Sequence, residues 1–329
     1  MPVVGRLAPS PTGQLHIGNA RSLALAWLSA RSRGGRIWLR VEDLTPDTAS
    51  HTADLLADLA WLGLDWDAWD GARSGWMRQS ERAAVHADLL ERLVGAGRAY
   101  PCVCTRKDIE AAGRAPHVED RGAAYPGTCR DRFASAADAA RFEAERAHSE
   151  GRAPLGVALR LRVPEAPVVF TDDLRGPVAV HLPTDSGDFV VRRKDGGSAY
   201  MFAVVADDIA MGVTEVVRGD DLLEVTAQQV AVYAALAGVS EAAAAARLPR
   251  HLHVPLVLGS DGRRLAKRNR SLHLGALREA GVTAAAVRAW LARSVGLPDG
   301  GDWRGLAAQF RWDAVPREAI VFGGSLDSA

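Results

Sequence analysis

A turn of small residues around one histidine is the first segment of this sequence that could do chemistry. The segment from Ala8 to Asn19 is APSPTGQLHIGN. It follows an apolar run from Val3 to Ala8 and overlaps apolar residues at helical spacing from Leu15 to Leu28, which predicts a strand, a turn and a helix. Backbone N–H groups and the positive helix end approach phosphate oxygens at such a turn. His16 could donate to a phosphoryl group there, although a histidine at a helix start is more often a capping or structural residue.

A basic loop much later in the chain could bind the same phosphates. The segment from Gly259 to Asn269, GSDGRRLAKRN, begins with a turn after a predicted strand. Lys267 is one of only three lysines among forty basic residues. A flexible lysine on such a loop can close over a triphosphate and neutralise the departing pyrophosphate. For this segment taken alone, a solvated surface loop is the alternative.

Three cysteines form another candidate site. Cys102 and Cys104 are separated by one residue, and Cys129 follows later in the chain. An odd number with this spacing does not fit a secreted disulfide framework, whereas three thiolates could converge on one tetrahedral Zn²⁺. Free buried cysteines are the alternative. Because Cys₃His is a common ligand set, the chemistry alone nominates His117 as the fourth ligand.

The composition is that of an ordinary globular protein. Hydrophobic residues make up 48% and charged residues 24% of the 329 positions, which allows a core divided into two or three units. A formal net charge of zero argues against binding to nucleic acid through bulk positive charge, so any RNA contact must be local. The sequence has neither an apolar run long enough to cross a membrane nor a secretory signal. We therefore expect a cytoplasmic protein without membrane contact.

Strand and helix patterns place the histidine turn in a βαβ unit. Arg36 to Val41 alternates as a strand. Ser50 to Leu62 is amphipathic, with Thr48 or Ser50 as the predicted helix cap. A strand, a helix and a second strand in this order predict a parallel crossover unit and hence an α/β fold.

An insert is predicted to divide this α/β unit, because the sequence changes character from Tyr100 to about Ala199. The later predicted elements are a helix at 134–148, strands at 157–163 and 189–193, α/β segments at 203–217 and 224–238, and a strand from His253 to Leu258. We divide the chain into an α/β unit at residues 1–98 and 203–258, an insert at 99–202, and a mostly helical segment at 259–329.

Several motifs together resemble one family. PSPTGQLHIGN resembles the HIGH motif of class I aminoacyl-tRNA synthetases in the form used by glutamyl enzymes, and RLAKR resembles their KMSKS motif. The blocks RIWLRVEDLTPDT and AYMFAVVADDIAMGVTEVVRGDDLL fit the same family, so that the resemblance extends from Arg6 to Asn269. It implies a Rossmann-type nucleotide-binding fold interrupted by a zinc-containing insert and followed by a small helical subdomain that carries the KMSKS-like loop.

The resemblance also implies roles for individual residues. Glu42 would hold the α-ammonium group of L-glutamate, and Arg218 would pair with its side-chain carboxylate, because a guanidinium offers a planar fork. His16 and Lys267 would act electrostatically in catalysis, while Mg²⁺ bridges the phosphates. The implied glutamate pocket is Arg6, Leu7, Ala8, Pro9, Ser10, Glu42, Tyr200 and Arg218. The implied ATP site is Pro9, Thr12, Gly13, His16, Gly18, Asn19, Arg264 and Lys267.

Three positions depart from the family pattern, and the resemblance also changes the predicted zinc ligands. Asn19 stands where Gly or His is common, and Arg264 and Ala266 replace the usual Lys and Ser. C-x-C followed by Y-x₃-C resembles the zinc site of short glutamyl-tRNA-synthetase paralogues. This likeness favours Tyr125, rather than His117, as the fourth ligand of a closed, structural site.

The sequence after the second motif bears on the expected acceptor. Only 61 residues follow Arg268, too few for the large anticodon-binding domain of full-length glutamyl-tRNA synthetases. The chain thus resembles the short paralogues, which form the adenylate without tRNA and transfer glutamate to queuosine in the anticodon loop of tRNA(Asp). A monomer that binds ATP, L-glutamate and this tRNA is expected.

Three alternatives remain at this stage. A class I-like ligase could transfer activated glutamate to a small amine or thiol and would need no RNA-binding face. A catalytically inactive nucleotide- or tRNA-binding module is disfavoured because His16 and Lys267 are retained together with the pocket residues. A minimal conventional glutamyl-tRNA synthetase is disfavoured by the length of the chain.

Overall fold

The structure is a computed structural model that describes residues 2–11, 13–45, 51–112, 124–263, 265, 272–323 and 326. The strands are β1 (Val4–Leu7), β2 (Arg36–Val41), β3 (Met77–Arg78), β4 (Ala99–Cys102), β5 (Ala158–Leu161), β6 (Val168–Asp172), β7 (Gly176–Val180), β8 (Val190–Arg192), β9 (Glu215–Gly219), β10 (Arg250–Val254), β11 (Val257–Leu258) and β12 (Ile320–Val321). The α-helices are α1 (Ile17–Arg31), α2 (Thr52–Leu62), α3 (Ala83–Gly95), α4 (Arg106–Ala112), α5 (Ala136–Ser149), α6 (Leu182–Asp185), α7 (Tyr200–Ala210), α8 (Thr226–Ala237), α9 (Glu241–Ala245), α10 (Leu274–Glu279), α11 (Ala284–Arg293) and α12 (Trp303–Gln309).

The predicted βαβ unit is present at the amino-terminal end. Strands β1 and β2 pair in parallel from Val4 opposite Arg36 to Leu7 opposite Leu39, and β3 pairs in parallel with the other edge of β2. Helix α1 connects β1 to β2, and its buried side chains share one apolar core with both strands. The strand at 36–41 is confirmed residue for residue, because alternation and β-branched or aromatic residues coincide there.

A second sheet continues the first. Its strand order is β7-β6-β10-β9, with β6, β10 and β9 parallel and β7 antiparallel to β6. Hydrogen bonds of 2.9 Å join the Thr214 amide to the Val4 carbonyl and the Val4 amide to the Thr214 hydroxyl. Strands β1 and β9 therefore meet side by side, and their carboxyl ends point to the same edge, where α/β proteins bind ligands.

The segment predicted as an insert contributes to two sheets. Strands β4, β5 and β8 form an antiparallel sheet of their own. Strand β6, from the same segment, pairs instead with β10. The predicted boundary at residue 202 falls inside α7. A hydrophobic pattern identifies a strand, but it does not identify the partner with which the strand pairs.

Two predicted elements differ in the structure. The helix predicted from Ser50 begins at Thr52, and its N-cap position is His51, which makes no side-chain capping bond. The proposed caps Thr48 and Ser50 lie outside the described residues. The single strand predicted from His253 to Leu258 is wrong: β10 ends at Val254 and β11 begins at Val257. Pro255 has no N–H group to continue the ladder.

The carboxyl-terminal part is mostly helical and is tied to the histidine turn. The Leu274 amide donates to the Leu15 carbonyl at 2.7 Å, and His16 and His273 form an isolated antiparallel bridge. Strand β12 returns to pair with β11. Within the described part of the chain, no helix has the length and apolar character needed to span a membrane.

Candidate active site

A cavity of about 370 Å³ opens at the carboxyl ends of β1, β2 and β9, where the two sheets meet. Its floor is made by ends of strands and its wall by the first turn of α1. The cavity is lined by Arg6, Ala8, Pro9, Ser10, His16, Gly18, Asn19, Ser22, Leu23, Glu42, Tyr200, Val217, Arg218, Gly219, Asp221, Leu222, Leu256, Val257 and Leu265. Such a concave site with a few convergent polar groups is suited to a small charged ligand.

His16 caps the helix that faces this cavity. Its Nδ1 accepts hydrogen bonds from the amides of Gly18 at 3.1 Å and Asn19 at 3.2 Å. In the neutral ring, an accepting Nδ1 leaves Nε2 as the nitrogen that carries the proton. Capping and catalysis were alternatives at the level of sequence, but the geometry allows both, because the two ring nitrogens have different tasks.

Arg218 presents one unused nitrogen. Its Nε donates to His253 Nε2 at 3.0 Å, and its Nη2 donates to Thr226 Oγ1 at 2.7 Å and to Gln229 Oε1 at 2.8 Å. Its Nη1 is buried and has no hydrogen-bond partner among the described residues. A buried donor without a partner is costly, so this nitrogen is a natural contact for an anionic ligand in the cavity.

Glu42 lies across the pocket within a buried network of charges. Its Oε1 accepts from Arg40 Nη2 at 3.1 Å and its Oε2 accepts from Ser10 Oγ at 3.1 Å. Burial raises the pKa of Glu42, against the opposing effects of Arg40 and Arg6. Arg40 also donates to Asp208, whose carboxylate lies 3.8 Å from Arg6 Nε. The network thus holds the Glu42 carboxylate next to the cavity, although burial makes ionisation of this carboxylate less favourable.

Tyr200 and Arg6 complete the wall. Burial and the nearby Glu42 carboxylate raise the pKa of the Tyr200 phenol to about 12. Its hydroxyl is therefore protonated at neutral pH and can donate to a ligand. Arg6 Nη1 donates to the Val217 carbonyl at 3.1 Å and thereby connects β1 to β9 below the pocket.

Of the predicted glutamate and ATP residues that the structure describes, all but two line this one cavity. Leu7 is fully buried in the core below, because β1 alternates and its side chain points away from Arg6 and Ala8. Gly13 does not line the cavity; its φ of 131° makes it a turn residue instead. Thr12, Arg264 and Lys267, like the alternative zinc ligand His117, lie outside the described residues.

Sequence reasoning missed the residues that support Arg218 from behind. His253 Nδ1 lies 2.7 Å from Asp172 Oδ2, and both side chains are completely buried. Burial lowers the pKa of His253, and the neighbouring Arg218 lowers it further. The alternating pair His251 and His253 in an apolar strand was the available signal, but the contact with Asp172 spans 81 positions.

The three cysteines converge within the insert. Their sulfur atoms all lie within 4.8 Å of one another. The Tyr125 hydroxyl is 3.5 Å from Cys102 Sγ and 3.7 Å from Cys104 Sγ, and it accepts from the Cys129 amide at 2.8 Å. Hydrogen bonds from Cys104 and Cys129 lower the pKa of Cys102.

This donor set fits a zinc ion. A tetrahedral site with Zn–S bonds of about 2.3 Å requires sulfur atoms roughly 4 Å apart, which the cluster satisfies. Arg160 adds a cation next to the thiolates: its Nε donates to Cys102 Sγ at 3.2 Å, and its guanidinium carbon lies 3.6 Å from the centroid of the Tyr125 ring. The structure thus brings the predicted ligands together in space, although more than 20 positions separate the first from the last along the chain. These ligands are Cys102, Cys104, Tyr125 and Cys129.

Comparison with known proteins gives consistent results. Residues 2–302 match the family described as tRNA synthetases class I (E and Q), catalytic domain. A glutamyl-Q tRNA(Asp) synthetase of Nitratidesulfovibrio vulgaris is 48% identical over 300 residues, which cover 90% of this chain and 87% of that protein. The glutamyl-Q tRNA(Asp) synthetase of Symbiobacterium thermophilum is 44% identical, with the same coverage of 90% and 87%. A glutamate tRNA ligase from Elizabethkingia meningosepticum, crystallised with its amino acid, has a similar fold, with a TM-score of 0.74 at 23% identity, over 98% of this chain and 67% of that one.

Proposed function

Because this chain belongs to the class I tRNA synthetase catalytic-domain family for glutamate and glutamine, we propose that it activates L-glutamate with ATP and transfers it to queuosine in tRNA(Asp). The names of its relatives in two bacteria support the tRNA acceptor. The observation that carries the amino-acid part is the buried Nη1 of Arg218, which has no partner among the described residues and belongs to a cavity-lining side chain.

Glutamate fits the distribution of charge in the cavity. Its side-chain carboxylate would accept from Arg218 Nη1 and from the protonated hydroxyl of Tyr200. Its α-ammonium group would donate to Glu42, which faces the cavity together with Ser10. These contacts would leave the α-carboxylate directed toward the first turn of α1, where ATP is proposed to bind.

Activation is the attack of an α-carboxylate oxygen on the α-phosphorus of ATP. The P–O bond to the β-phosphate breaks, and glutamyl adenylate and pyrophosphate form. His16 Nε2–H would donate to the phosphoryl oxygens, whose charge grows in the transition state, and the amides at the start of α1 lie beside it. From the sequence alone, Lys267 and Arg264 are proposed to neutralise the departing pyrophosphate, with Mg²⁺ bound to the phosphates of ATP.

The second step is acyl transfer. A hydroxyl of the acceptor base attacks the carbonyl carbon of the adenylate and gives up its proton, the mixed anhydride bond breaks, and an ester and AMP form. No side chain of the protein is covalently modified. Cys102, Cys104, Tyr125 and Cys129 would hold a zinc ion that supplies a structural cross-link within the insert, without an open coordination position for catalysis.

Two assays separate the parts of this proposal. The purified protein should exchange pyrophosphate into ATP when glutamate is present, and it should do so without RNA. Labelled glutamate should then be transferred to tRNA(Asp) that carries queuosine, but not to the same tRNA prepared from cells unable to make queuosine. Exchange with another amino acid in place of glutamate would refute the pocket assignment, whereas equal labelling of both tRNAs, or labelling of tRNA(Glu), would refute the acceptor.

A further inference from the structure

Arg218 is restrained by neighbours that carry no negative charge. The acceptors on its Nε and Nη2 are an imidazole nitrogen of His253, the hydroxyl of Thr226 and the amide oxygen of Gln229. Arg40, the buried arginine that contacts Glu42, is bonded instead to the carboxylates of Glu42 and Asp208. The charge of Arg40 is thus compensated by hydrogen-bonded carboxylates, whereas Arg218 donates to no carboxylate within the described part of the chain.

Asp172 determines which ring nitrogen of His253 can accept a hydrogen bond from Arg218. Its Oδ2 accepts from the backbone amide of His253 at 3.0 Å and lies 2.7 Å from His253 Nδ1. Its Oδ1 accepts from the amides of Leu174 and Arg175 at 2.9 and 2.8 Å. Although burial alone would raise the pKa of Asp172, these donors hold it below its usual value. An ionised Asp172 requires the proton of His253 on Nδ1, which leaves the Nε2 lone pair for Arg218.

The sheet fixes this arrangement in space. Strands β9 and β10 are parallel neighbours in which Arg218 lies opposite His253, and His251 of β10 lies opposite Asp172 of β6. Asp172, His253 and Arg218 therefore stand on three adjacent strands, and each donates to or accepts from the next. Because Nε and Nη2 both donate hydrogen bonds, the guanidinium plane of Arg218 cannot rotate. Nη1 is then the one nitrogen of this guanidinium group that has no partner among the described residues.

We propose that Asp172 and His253 are positioning residues that set the preference for a substrate with a side-chain carboxylate over one with a side-chain amide. This inference rests on the proposed activation of glutamate. His253 supplies Arg218 with a neutral acceptor, so that the guanidinium keeps a fixed orientation and a charge that no hydrogen-bonded carboxylate neutralises. A carboxylate substrate gains from both properties, whereas the amide of glutamine gains only from the orientation.

Two replacements of His253 separate positioning from simple packing. In His253→Gln, the amide oxygen can occupy the place of Nε2 and accept from Arg218. In His253→Asn, the shorter amide reaches the place of Nδ1 and faces Asp172, but it leaves Arg218 Nε without its acceptor. The same two replacements at His251 are the matched control, because His251 is buried on the same strand and stacks on the His253 ring at 6.2 Å between centroids.

The measurement is glutamate-dependent pyrophosphate exchange by the full chain, with KM and kcat determined for glutamate, glutamine and ATP. We expect His253→Asn to raise the glutamate KM by about tenfold or more, since a hydrogen bond to a buried charged group is lost. Its ATP KM and its kcat should stay within roughly threefold of wild type, and its selectivity for glutamate over glutamine should fall. His253→Gln should recover most of the glutamate KM.

Crystal structures of the two variants provide a readout that does not depend on the reaction. Arg218 Nη1 should keep its place in His253→Gln and leave it in His253→Asn. An unmoved Arg218 with an unchanged glutamate KM in His253→Asn would overturn the inference, and so would an equal rise in KM for His251→Asn. Failure of the wild-type protein to exchange pyrophosphate with glutamate would instead refute the proposed function, while the position of Arg218 in the variants still decides the positioning role.

Discussion

The pocket and the cysteine cluster both bring polar groups together. In the cluster these groups contact one another, whereas in the pocket one of them is left without a partner among the described residues. In the cluster, three sulfur atoms and the Tyr125 hydroxyl face one another within a single region of the chain. In the pocket, Arg6, Glu42 and Arg218 come from three different strands or their ends, and Nη1 of Arg218 has no partner among the described residues. A closed set of donors holds structure together, whereas an incomplete set is arranged for a ligand.

This difference has a consequence for mutation. Loss of a donor from the pocket should change the binding or rate of reaction of the substrate more than it changes the stability of the fold. Loss of a donor from the cluster should change stability and metal content more than rate. The following predictions test this division, beginning with the largest expected effect.

Arg218→Lys should have the largest effect. A lysine cannot hold His253, Thr226 and Gln229 and also reach the ligand, because it lacks the planar fork. Removal of one partner of a buried charged pair costs about 2–5 kcal/mol, which corresponds to a rise of roughly thirtyfold or more in the glutamate KM. Steady-state pyrophosphate exchange measures it, with Arg250→Lys, at an exposed position on β10, as the control. A KM close to that of wild type would contradict the role of Arg218.

His16→Ala and His16→Asn should separate catalysis from capping. The alanine variant loses both the cap and the Nε2 donor, so we expect kcat to fall roughly a hundredfold and the free energy of unfolding to fall by about 1 kcal/mol. Asparagine can accept from the Gly18 and Asn19 amides but has no group at the position of Nε2. Denaturant unfolding should therefore recover in His16→Asn while kcat stays low. Recovery of both quantities would show that capping is the only role of His16.

Cys104→Ala should affect stability first. The proposed zinc should be missing from the variant, as measured by elemental analysis, and the melting temperature should fall by several degrees, because a structural zinc contributes directly to folding. The glutamate KM should change by less than about tenfold, since the cluster does not line the pocket. A strong chelator should lower the melting temperature of the wild-type protein but not that of the variant. A loss of glutamate binding equal to that of Arg218→Lys would erase the distinction between the two regions.

Acid should weaken glutamate binding through Glu42, with the smallest of these effects. Because burial raises its pKa, Glu42 takes up a proton at a pH above the ordinary range of about 4.3. Its protonation favours the folded state as pH falls, and that stabilisation is lost as pH rises through the raised pKa. The protonated form cannot hold the α-ammonium group, so kcat/KM for glutamate should decline in weakly acidic solution. This decline at acidic pH should be absent from the pH profile of kcat/KM for ATP, measured at saturating glutamate.

Much of the lining of the cavity followed from local sequence. The histidine turn and the strand at 36–41 bring His16 and Glu42 to the cavity, because a tight turn and a two-residue alternation are properties of short segments. The same alternation could have excluded Leu7, which the motif comparison included with its neighbours. Motifs mark segments, but the side of the strand decides which residues of a segment reach the ligand.

The residues by themselves indicated a helix start suited to phosphate and thiols suited to a metal, and the family resemblance added an arginine and a glutamate for the charged groups of an amino acid. Only the tertiary structure showed that Asp172 contacts His253 and that His253 contacts Arg218. This arrangement depends on the pairing of strand β6 with β10, which the sequence did not indicate. Hydrogen bonds between distant strands depend on register and strand order. Those are settled by the burial of whole faces across the sheet, and no short pattern in the chain encodes them.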